Sequence, residues 1–164
     1  MKYVSASSWE ALHPQETTFT STEQGHTSTD RQGPAALATD PISGATLGGY
    51  KGGRIMRPPE PDPTPATYEF PIRHGLTLLG GPVVSVHIHP TGNDVPLSVR
   101  VWDVAPGATQ QGLVSRGTYR IDGGAGKDVV AHLQISVAGY RFPAGHTLKV
   151  EVSADASPYF QKSN

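Results

Sequence analysis

Two histidines in the second half of the sequence have a spacing that can chelate a metal ion. His87 and His89 are two residues apart, and residues at that spacing in a β-strand point to the same side of the sheet. Imidazole is a common ligand of divalent metals, and His132 or Asp94 is a candidate third ligand. Nothing in the sequence brings a third ligand to this pair. We therefore predict no metal and no other cofactor, with His87 and His89 facing solvent.

The sequence lacks the local pattern of a serine hydrolase nucleophile. An α/β-hydrolase places its serine in a Gly-x-Ser-x-Gly turn between a strand and a helix, and no such pentapeptide occurs. Ser43 comes nearest, but it has no glycine two residues before it. The absence of cysteine excludes a thiol nucleophile and thiolate metal ligands. We predict that the chain has no catalytic residues and is not an enzyme on its own.

One segment matches a calcium-binding pattern. Residues 123–131 (GGAGKDVVA) fit the nine-residue repeat of calcium-binding β-rolls. In that architecture each calcium lies between consecutive turns, and the sequence contains this pattern once. The segment is better explained as a hairpin loop that leads into a strand.

Aromatic side chains are the candidates for a ligand or partner surface. Exposed aromatic rings commonly form the platform on which a sugar binds, and the same residues also pack inside sandwiches and interfaces. Both roles stay open for these residues, which are Trp9, Tyr50, Trp102 and Tyr119.

Composition limits the class of protein. The 164 residues suffice for one domain, 19 are glycine and 15 proline, and only 16% are charged, which excludes a long charged helical protein. The net charge of −1 provides no basic face for nucleic acid. No apolar run approaches the roughly 20 residues of a membrane-spanning helix, and residues 1–10 do not form a signal peptide. We expect a soluble protein, extracellular or cytoplasmic.

After residue 67, apolar and polar residues alternate in short runs separated by turn residues. This period of two is typical of half-buried antiparallel strands. In the clearest run we expect the core face to carry Val129, Ala131, Leu133, Ile135 and Val137. The other predicted strands are residues 68–72, 84–89, 97–104, 113–121 and 148–153. The pattern predicts an all-β sandwich with little or no helix.

The first part of the chain has a different character. Residues 1–65 contain few large aliphatic side chains, and residues 2–7 and 16–21 are weak extended candidates. Residues 57–65 (RPPEPDPTP) contain five prolines, which favours a stiff polyproline-like segment outside any central strand. So few aliphatic residues do not form a core of their own. We therefore predict a single domain over residues 1–164, with residues 1–65 forming an extended strand and a proline-rich strap and residues 66–164 the core strands.

The order of several motifs resembles a known family. Gly80-Gly81-Pro82 precedes a valine-rich strand, and the segments that follow read LSVRVWDVAP (97–106), LVSRGTYRI (113–121), YRFPAGHTLKVEV (140–152) and SPYFQKSN (157–164). These motifs resemble the C-terminal domain of X-prolyl dipeptidyl peptidases, which also occurs in the cocaine esterase and α-amino-acid ester hydrolase group. The resemblance covers about residues 65–164 and extends more weakly to residues 3–14.

This resemblance implies a jelly-roll sandwich of the galactose-binding-like type, attached to an α/β-hydrolase domain that carries the catalytic residues. In the family, the domain is non-catalytic, helps to shape the substrate pocket and contributes to subunit contacts. Two departures stand out: Gly107-Ala108 lacks the acidic residue of the family turn, and the sequence ends where the family usually adds a last strand. A sheet edge left unpaired there is an expected site for a partner.

The same motif residues have structural explanations. Asp103 comes near a strand end, where its carboxylate can accept hydrogen bonds, and Pro106-Gly107 can reverse the chain. Gly145 permits a tight turn into the next strand, and we expect His146 to be a half-buried hydrogen-bonding residue.

We predict an accessory domain whose partner is an α/β-hydrolase catalytic domain or another protein, including a second copy of this chain. The alternatives are a stand-alone carbohydrate-binding module that binds glycans and a structural or assembly subunit that uses an unpaired sheet edge.

Overall fold

The structure is a computed structural model that describes residues 5–27, 56–57, 65–109 and 111–154. Within these ranges the helical content is one short 3-10 turn, Glu10–Leu12. The strands are β1 (Met56–Arg57), β2 (Ala66–Pro71), β3 (Leu76–Gly80), β4 (Val83–Ile88), β5 (Asp94–Val104), β6 (Gln111–Asp122), β7 (Val129–Gln134), β8 (Ala138–Phe142) and β9 (Thr147–Ser153). The predicted all-β fold is confirmed, whereas the jelly-roll topology stays a prediction.

In the described residues, five strands form a central antiparallel sheet in the order β1-β6-β5-β9-β2. The long strands β5 and β6 pair along their whole length, with an irregularity beside Val101 and Trp102. β9 pairs with β5 on one side and with β2 on the other. β2 is the last of the described strands on one side of this sheet, and its last residue is Pro71, which has no amide hydrogen to donate.

The other four strands form a second, narrower layer. β3 pairs with β8 and β4 pairs with β7, both antiparallel. Because β4 follows β3 and β8 follows β7, the two pairs are successive stretches of one long ribbon. We call these four strands the ribbon. The hydrophobic core lies between the ribbon and the facing side of the central sheet, which we call the inner face, and it includes Val99, Val101, Leu133, Phe142 and Val150.

The pairing of the ribbon is interrupted between the β3–β8 pair and the β4–β7 pair. Gly80 pairs with Ala138 and Val83 pairs with Gln134, so two residues between β3 and β4 lie opposite three residues between β7 and β8. Such a bulge bends a strand and redirects its side chains. Here the extra length brings residues 135–136 against β6: Ser136 N donates to Arg116 O at 2.9 Å, and Ser115 Oγ donates to Ser136 O at 2.6 Å. We call residues 81–82 and 135–137 the break.

The break corrects one prediction about the core. The alternation of residues 129–137 predicted one continuous strand, but β7 ends at Gln134. Ile135 is buried, whereas Val137 is 68% exposed, so the prediction that Val137 faces the core is wrong. The physical reason is the extra residue of the break, which changes the phase of the alternation.

The structure describes only part of the N-terminal segment for which predictions were made. Residues 16–21 and Ser5 to Ser7 form no strand. Phe19 packs on Phe70 of β2 with ring centroids 5.3 Å apart, so this part of the chain lies against the core domain. Residues 2–4, most of the proline-rich strap at 58–64, Tyr50 and the C-terminal segment 155–164 lie outside the described residues. In the described ranges no helix is long and apolar enough to cross a membrane.

Candidate functional site

Asp103 connects the two layers through hydrogen bonds. It lies near the end of β5 on the inner face, and its carboxylate accepts a hydrogen bond from Tyr140 Oη of β8 at 2.5 Å. Its other oxygen lies 2.8 Å from Nδ1 of His146, which immediately precedes β9. Tyr140 also makes an edge contact with Phe142, at a centroid distance of 4.9 Å. The carboxylate therefore ties three chain segments together beside the core.

Two turns position this cluster at one end of the sandwich. Ala108 N donates to Ala105 O at 3.1 Å, which closes a turn with Pro106 and Gly107 at its centre. Gly107 has φ 63° and Gly145 has φ 84°, backbone conformations that favour glycine. A Cβ on Gly145 would lie 3.8 Å from Pro106, so the two turns are neighbours. His146 is 20% exposed, a half-buried residue that closes the same end.

A second polar cluster lies on the opposite side of the central sheet, which we call the outer face. Even-numbered residues of β5 point there, because the odd-numbered Leu97, Val99 and Val101 are in the core. The cluster is buried, and we call it the polar layer. It consists of Arg100, Trp102, Gln111, Arg116, Lys149 and Glu151.

Glu151 is the centre of the polar layer. Trp102 Nε1 donates to Glu151 Oε2 at 2.8 Å, and Lys149 Nζ lies 3.1 Å from Glu151 Oε1. Arg100 Nε lies 3.9 Å from the same carboxylate. Lys149 also donates to Gln111 Oε1 at 3.2 Å. Buried charges at these distances are stabilised by one another and are strongly destabilising when one partner is removed.

Sequence reasoning did not find the polar layer. Lys149, Glu151 and Ser153 alternate with apolar residues in β9, which is the pattern of a strand with one wet face. One signal was available: Trp102 follows Arg100 at a spacing of two, so both point to the side opposite the valines. A tryptophan on a nominally wet face indicates that the face is covered.

The two histidines predicted as weak metal candidates lie on the exposed side of the ribbon. His89 Nδ1 lies 3.0 Å from Asp128 Oδ1, and His132 Nδ1 lies 2.8 Å from Ser85 Oγ. His87 faces Val130 across the strands. Within the described ranges, no group of three or more His, Cys, Asp or Glu side chains could hold a metal ion. Asp94, the other candidate ligand, is paired with Arg120.

The exposed side of the ribbon also carries apolar residues near the break. Val83 is 61% exposed and Val137 is 68% exposed, with Leu79 and Val130 on the same side. Trp9 is 51% exposed, and its Cη2 atom lies 3.7 Å from the position of a Cβ on Gly80. Adjacent exposed apolar side chains are typical of interaction surfaces. We call Leu79, Val83 and Val137 the apolar patch.

The aromatic residues predicted to form a surface lie in different parts of the structure. Trp102 is 0% exposed, so the prediction that it belongs to a ligand or partner surface is wrong: its indole is held beneath the surface by Glu151. Trp9 lies against the ribbon, whereas Tyr119 is 45% exposed on β6 of the central sheet. Tyr50 lies outside the described residues.

The fold is similar to parts of larger solved hydrolases. An aminopeptidase from a marine sediment archaeon, Thaumarchaeota archaeon, matches 60% of this chain with a TM-score of 0.52 and 19% identity. An α-amino acid ester hydrolase matches 62% with a TM-score of 0.56 and 19% identity. The matched part is 19% of the first neighbour and 20% of the second, so this chain corresponds to about one fifth of each. At this identity the likeness shows the fold.

The comparison with curated proteins finds no match. The family model of the X-Pro dipeptidyl-peptidase C-terminal non-catalytic domain matches residues 3–164, almost the whole sequence. Its extent agrees with the motifs that run from Gly80 to the final residues. The chain therefore belongs to the family of X-Pro dipeptidyl-peptidase C-terminal non-catalytic domains.

Proposed function

We propose that this chain is a non-catalytic accessory module that binds a hydrolase catalytic domain through the exposed side of its ribbon. The observation that carries the proposal is the apolar patch, in which Val83 and Val137 are more than half exposed. A valine that is buried on binding contributes roughly 1.5 kcal/mol or more. In such a complex the module shapes the substrate pocket or contributes to subunit contacts.

The polar groups around the apolar patch define the chemistry of the partner. The exposed side of the ribbon carries Arg141 on one side of the break and His87 and His132 on the other, while its acidic member, Asp128, is already next to His89. A partner surface with an apolar centre and carboxylates at its rim is complementary to this arrangement. The solved neighbours support a covalently joined partner, because the matched module is only about one fifth of each of those chains.

The two buried carboxylates among the described residues support a role without catalysis. Asp103 is engaged by Tyr140 and His146, and Glu151 by Trp102 and Lys149. These are contacts that hold strands and layers together. A hydrolytic site needs a nucleophile beside a general base in an accessible cleft, and both clusters instead use their hydrogen bonds to position the fold.

The first test is an activity assay of the purified chain. We expect no turnover of p-nitrophenyl esters or of X-Pro-p-nitroanilide by the 164-residue chain. Turnover that survives repurification and serine-directed inhibitors would contradict the proposed function.

The second test measures association with the hydrolase domain encoded in the same reading frame or beside it. Val83→Asp combined with Val137→Asp should weaken association about tenfold or more, because each new charge loses its hydration without gaining a counterion. Thr67→Asp, an exposed position on β2, is the matched control. Equal affinities of the two variants would locate the contact elsewhere, and absence of association with wild type would refute the accessory role.

A second candidate function is strand pairing with another chain. In the described part of the molecule, each ribbon strand has a hydrogen-bonded neighbour on one side only. Exposed strand edges present amide and carbonyl groups that can pair with a further strand. Sedimentation equilibrium distinguishes this candidate, since self-pairing gives a concentration-dependent dimer.

A further inference from the structure

One stretch of β6 has an open edge among the described residues. β5 pairs along the length of β6 on one side, whereas on the other side β1 pairs only at Gln111 and Gly112. Nearer the end of β6, residues 118–120 are all exposed, although successive side chains of a strand point to opposite faces. This stretch therefore meets solvent on both of its faces.

The pairing with β5 shows which backbone groups of β6 point to the open edge. In an antiparallel pair, directly opposed residues alternate between a hydrogen-bonded and a non-hydrogen-bonded type. Arg120 lies opposite Pro96, which has no amide hydrogen, so their pair is of the non-hydrogen-bonded type. The register is continuous over residues 115–122, so the even-numbered residues direct their N–H and C=O groups away from β5. The bond from Ser136 N to Arg116 O agrees with this, and it shows that the break occupies the edge at Arg116.

The end of the strand follows the same alternation. Gly123, an odd-numbered residue, donates from its backbone nitrogen to Asn93 O at 2.6 Å, on the side of β5. Thr118, Arg120 and Asp122 therefore present their N–H and C=O groups at the open edge, where the described residues supply no backbone partner for them. Groups of this kind can bond to an added strand.

Space and charge leave one register for a second copy of β6 that adds antiparallel about a two-fold axis. Registers centred on Thr118 or Tyr119 carry the second strand past Arg116, where the break occupies the edge. Registers centred on Arg120 or Asp122 place like charges directly opposite each other, which is destabilising. The register that remains places Arg120 of each copy opposite Asp122 of the other.

This register brings complementary groups together. The side chains of Arg120 and Asp122 are 56% and 80% exposed, and within one chain Arg120 Nε donates to Asp122 Oδ1 at 3.2 Å. Both side chains lie on the outer face, so across the two copies each guanidinium meets a carboxylate, and each opposed pair exchanges both of its N–H···O bonds. The contact is confined to the end of β6, so the resulting dimer is weak and depends on protein concentration.

We propose that residues 118–122 are a self-association site at which a second copy of this chain adds its own β6, with Arg120 of each copy opposite Asp122 of the other. The two central sheets then continue into each other across a two-fold axis. The site uses neither the apolar patch nor a strand edge of the ribbon, so it does not depend on the proposed binding of a hydrolase domain.

The first test exchanges the charges in the full-length chain and measures mass by sedimentation equilibrium at low ionic strength. Wild type should form a concentration-dependent dimer, and Arg120→Asp and Asp122→Arg should each weaken it about tenfold or more, because like charges then face each other. An equimolar mixture of the two variants should recover the wild-type association, since each opposed pair again has one acidic and one basic member. Arg73→Asp and Glu69→Arg, at exposed positions elsewhere, are the matched controls and should associate as wild type does.

Three outcomes of this experiment would overturn the proposal. Wild type could stay monomeric over the whole concentration range. The dimer could persist in both charge variants, which would place self-association on another edge, such as that of the ribbon. The mixture could fail to associate although each variant retains the strand content of wild type in far-UV circular dichroism.

A second measurement needs no variant. Hydrogen exchange of wild type, followed residue by residue by NMR, should slow at the amides of Arg120 and Asp122 as protein concentration rises. The amide of Thr118 points to the same edge but lies beyond the paired residues in this register, so its exchange rate should stay constant. Concentration-dependent slowing at Thr118, or at ribbon amides instead of Arg120 and Asp122, would refute the register or the site.

Discussion

Asp103 and Glu151 lie on opposite faces of the central sheet and have different structural roles. Asp103 joins β5 to Tyr140 of β8 and to His146, and so connects the two layers. Glu151 stays within one layer, where it meets Trp102 and Lys149. The first carboxylate thus fixes how the layers sit together, and the second allows cationic side chains to be buried.

Asp103→Asn should destabilise the domain by about 1–3 kcal/mol, because a charge-assisted acceptor of two side chains is lost at a nearly buried position. Urea unfolding followed by circular dichroism measures the change. Asp128→Asn removes a carboxylate that pairs with His89 at the exposed surface and should leave the midpoint where it is. Equal effects of the two substitutions would mean that Asp103 has no connecting role.

Glu151→Gln should cost more than Asp103→Asn, about 3–5 kcal/mol, because it removes the negative charge that faces buried Lys149 and Arg100. Glu69→Gln is the control, since Glu69 is exposed and lies opposite Lys149 on β2. Thermal and urea unfolding both report the difference. A midpoint for Glu151→Gln equal to that of the control would argue against a buried ionic centre.

Sequence could predict some of these residues but not their partners. His146 was expected to be a half-buried hydrogen-bonding residue, and Pro106-Gly107 has turn chemistry that is visible in any sequence. The contact between Asp103 and Tyr140 depends on which strand of the ribbon lies over β5, and the 37 residues between them carry no local signal of it. Trp102 was misassigned for the same reason, since Glu151, to which its indole donates a hydrogen bond, is 49 residues away in the sequence.

At the scale of elements, the break decides how the ribbon meets the central sheet. Its extra residue turns Ile135 toward β6, where Gly117 leaves space for it. A Cβ at Gly117 would lie 2.8 Å from Ile135 Cγ2 and 3.0 Å from Ile135 Cα. Glycine is required here by close approach, because backbone as well as side-chain atoms fill the position.

Gly117→Ala should therefore destabilise the fold by about 1–3 kcal/mol through overpacking. Gly92→Ala is the matched control, because the nearest atom to its Cβ would be 4.0 Å away and its backbone is not in the left-handed region. Chemical denaturation of both variants gives the comparison. If alanine is tolerated equally at both positions, the layers do not make the close contact described.

Alternation of side chains was sufficient to predict the strands but not their exact ends. The predicted strand at residues 97–104 begins three residues earlier in the structure, at Asp94, which pairs with Asp122. Asp94 and Asp122 are residue types that favour turns, so they pair because the hairpin brings them together and not because of their strand propensity. The break was not predicted, because Ile135, Ser136 and Val137 continue the period of two in sequence.

At the scale of the whole molecule, a single core between the two layers predicts one cooperative unit. Unfolding followed by Trp102 fluorescence in a Trp9→Phe background should coincide with unfolding followed by far-UV circular dichroism, as for a two-state domain. Trp102 reports the outer face of the central sheet, while circular dichroism reports both layers. Two separated transitions would show that residues 1–65 and 66–164 do not form one domain.

The margin of the central sheet at β2 has a consequence at high protein concentration. Among the described strands, β2 is the last on that side, and it ends in Pro71. A proline has no amide hydrogen with which an incoming chain could bond, so growth of fibrils from this margin is disfavoured. Loss of Pro71 would remove that protection, and solubility would fall before the fold itself weakened.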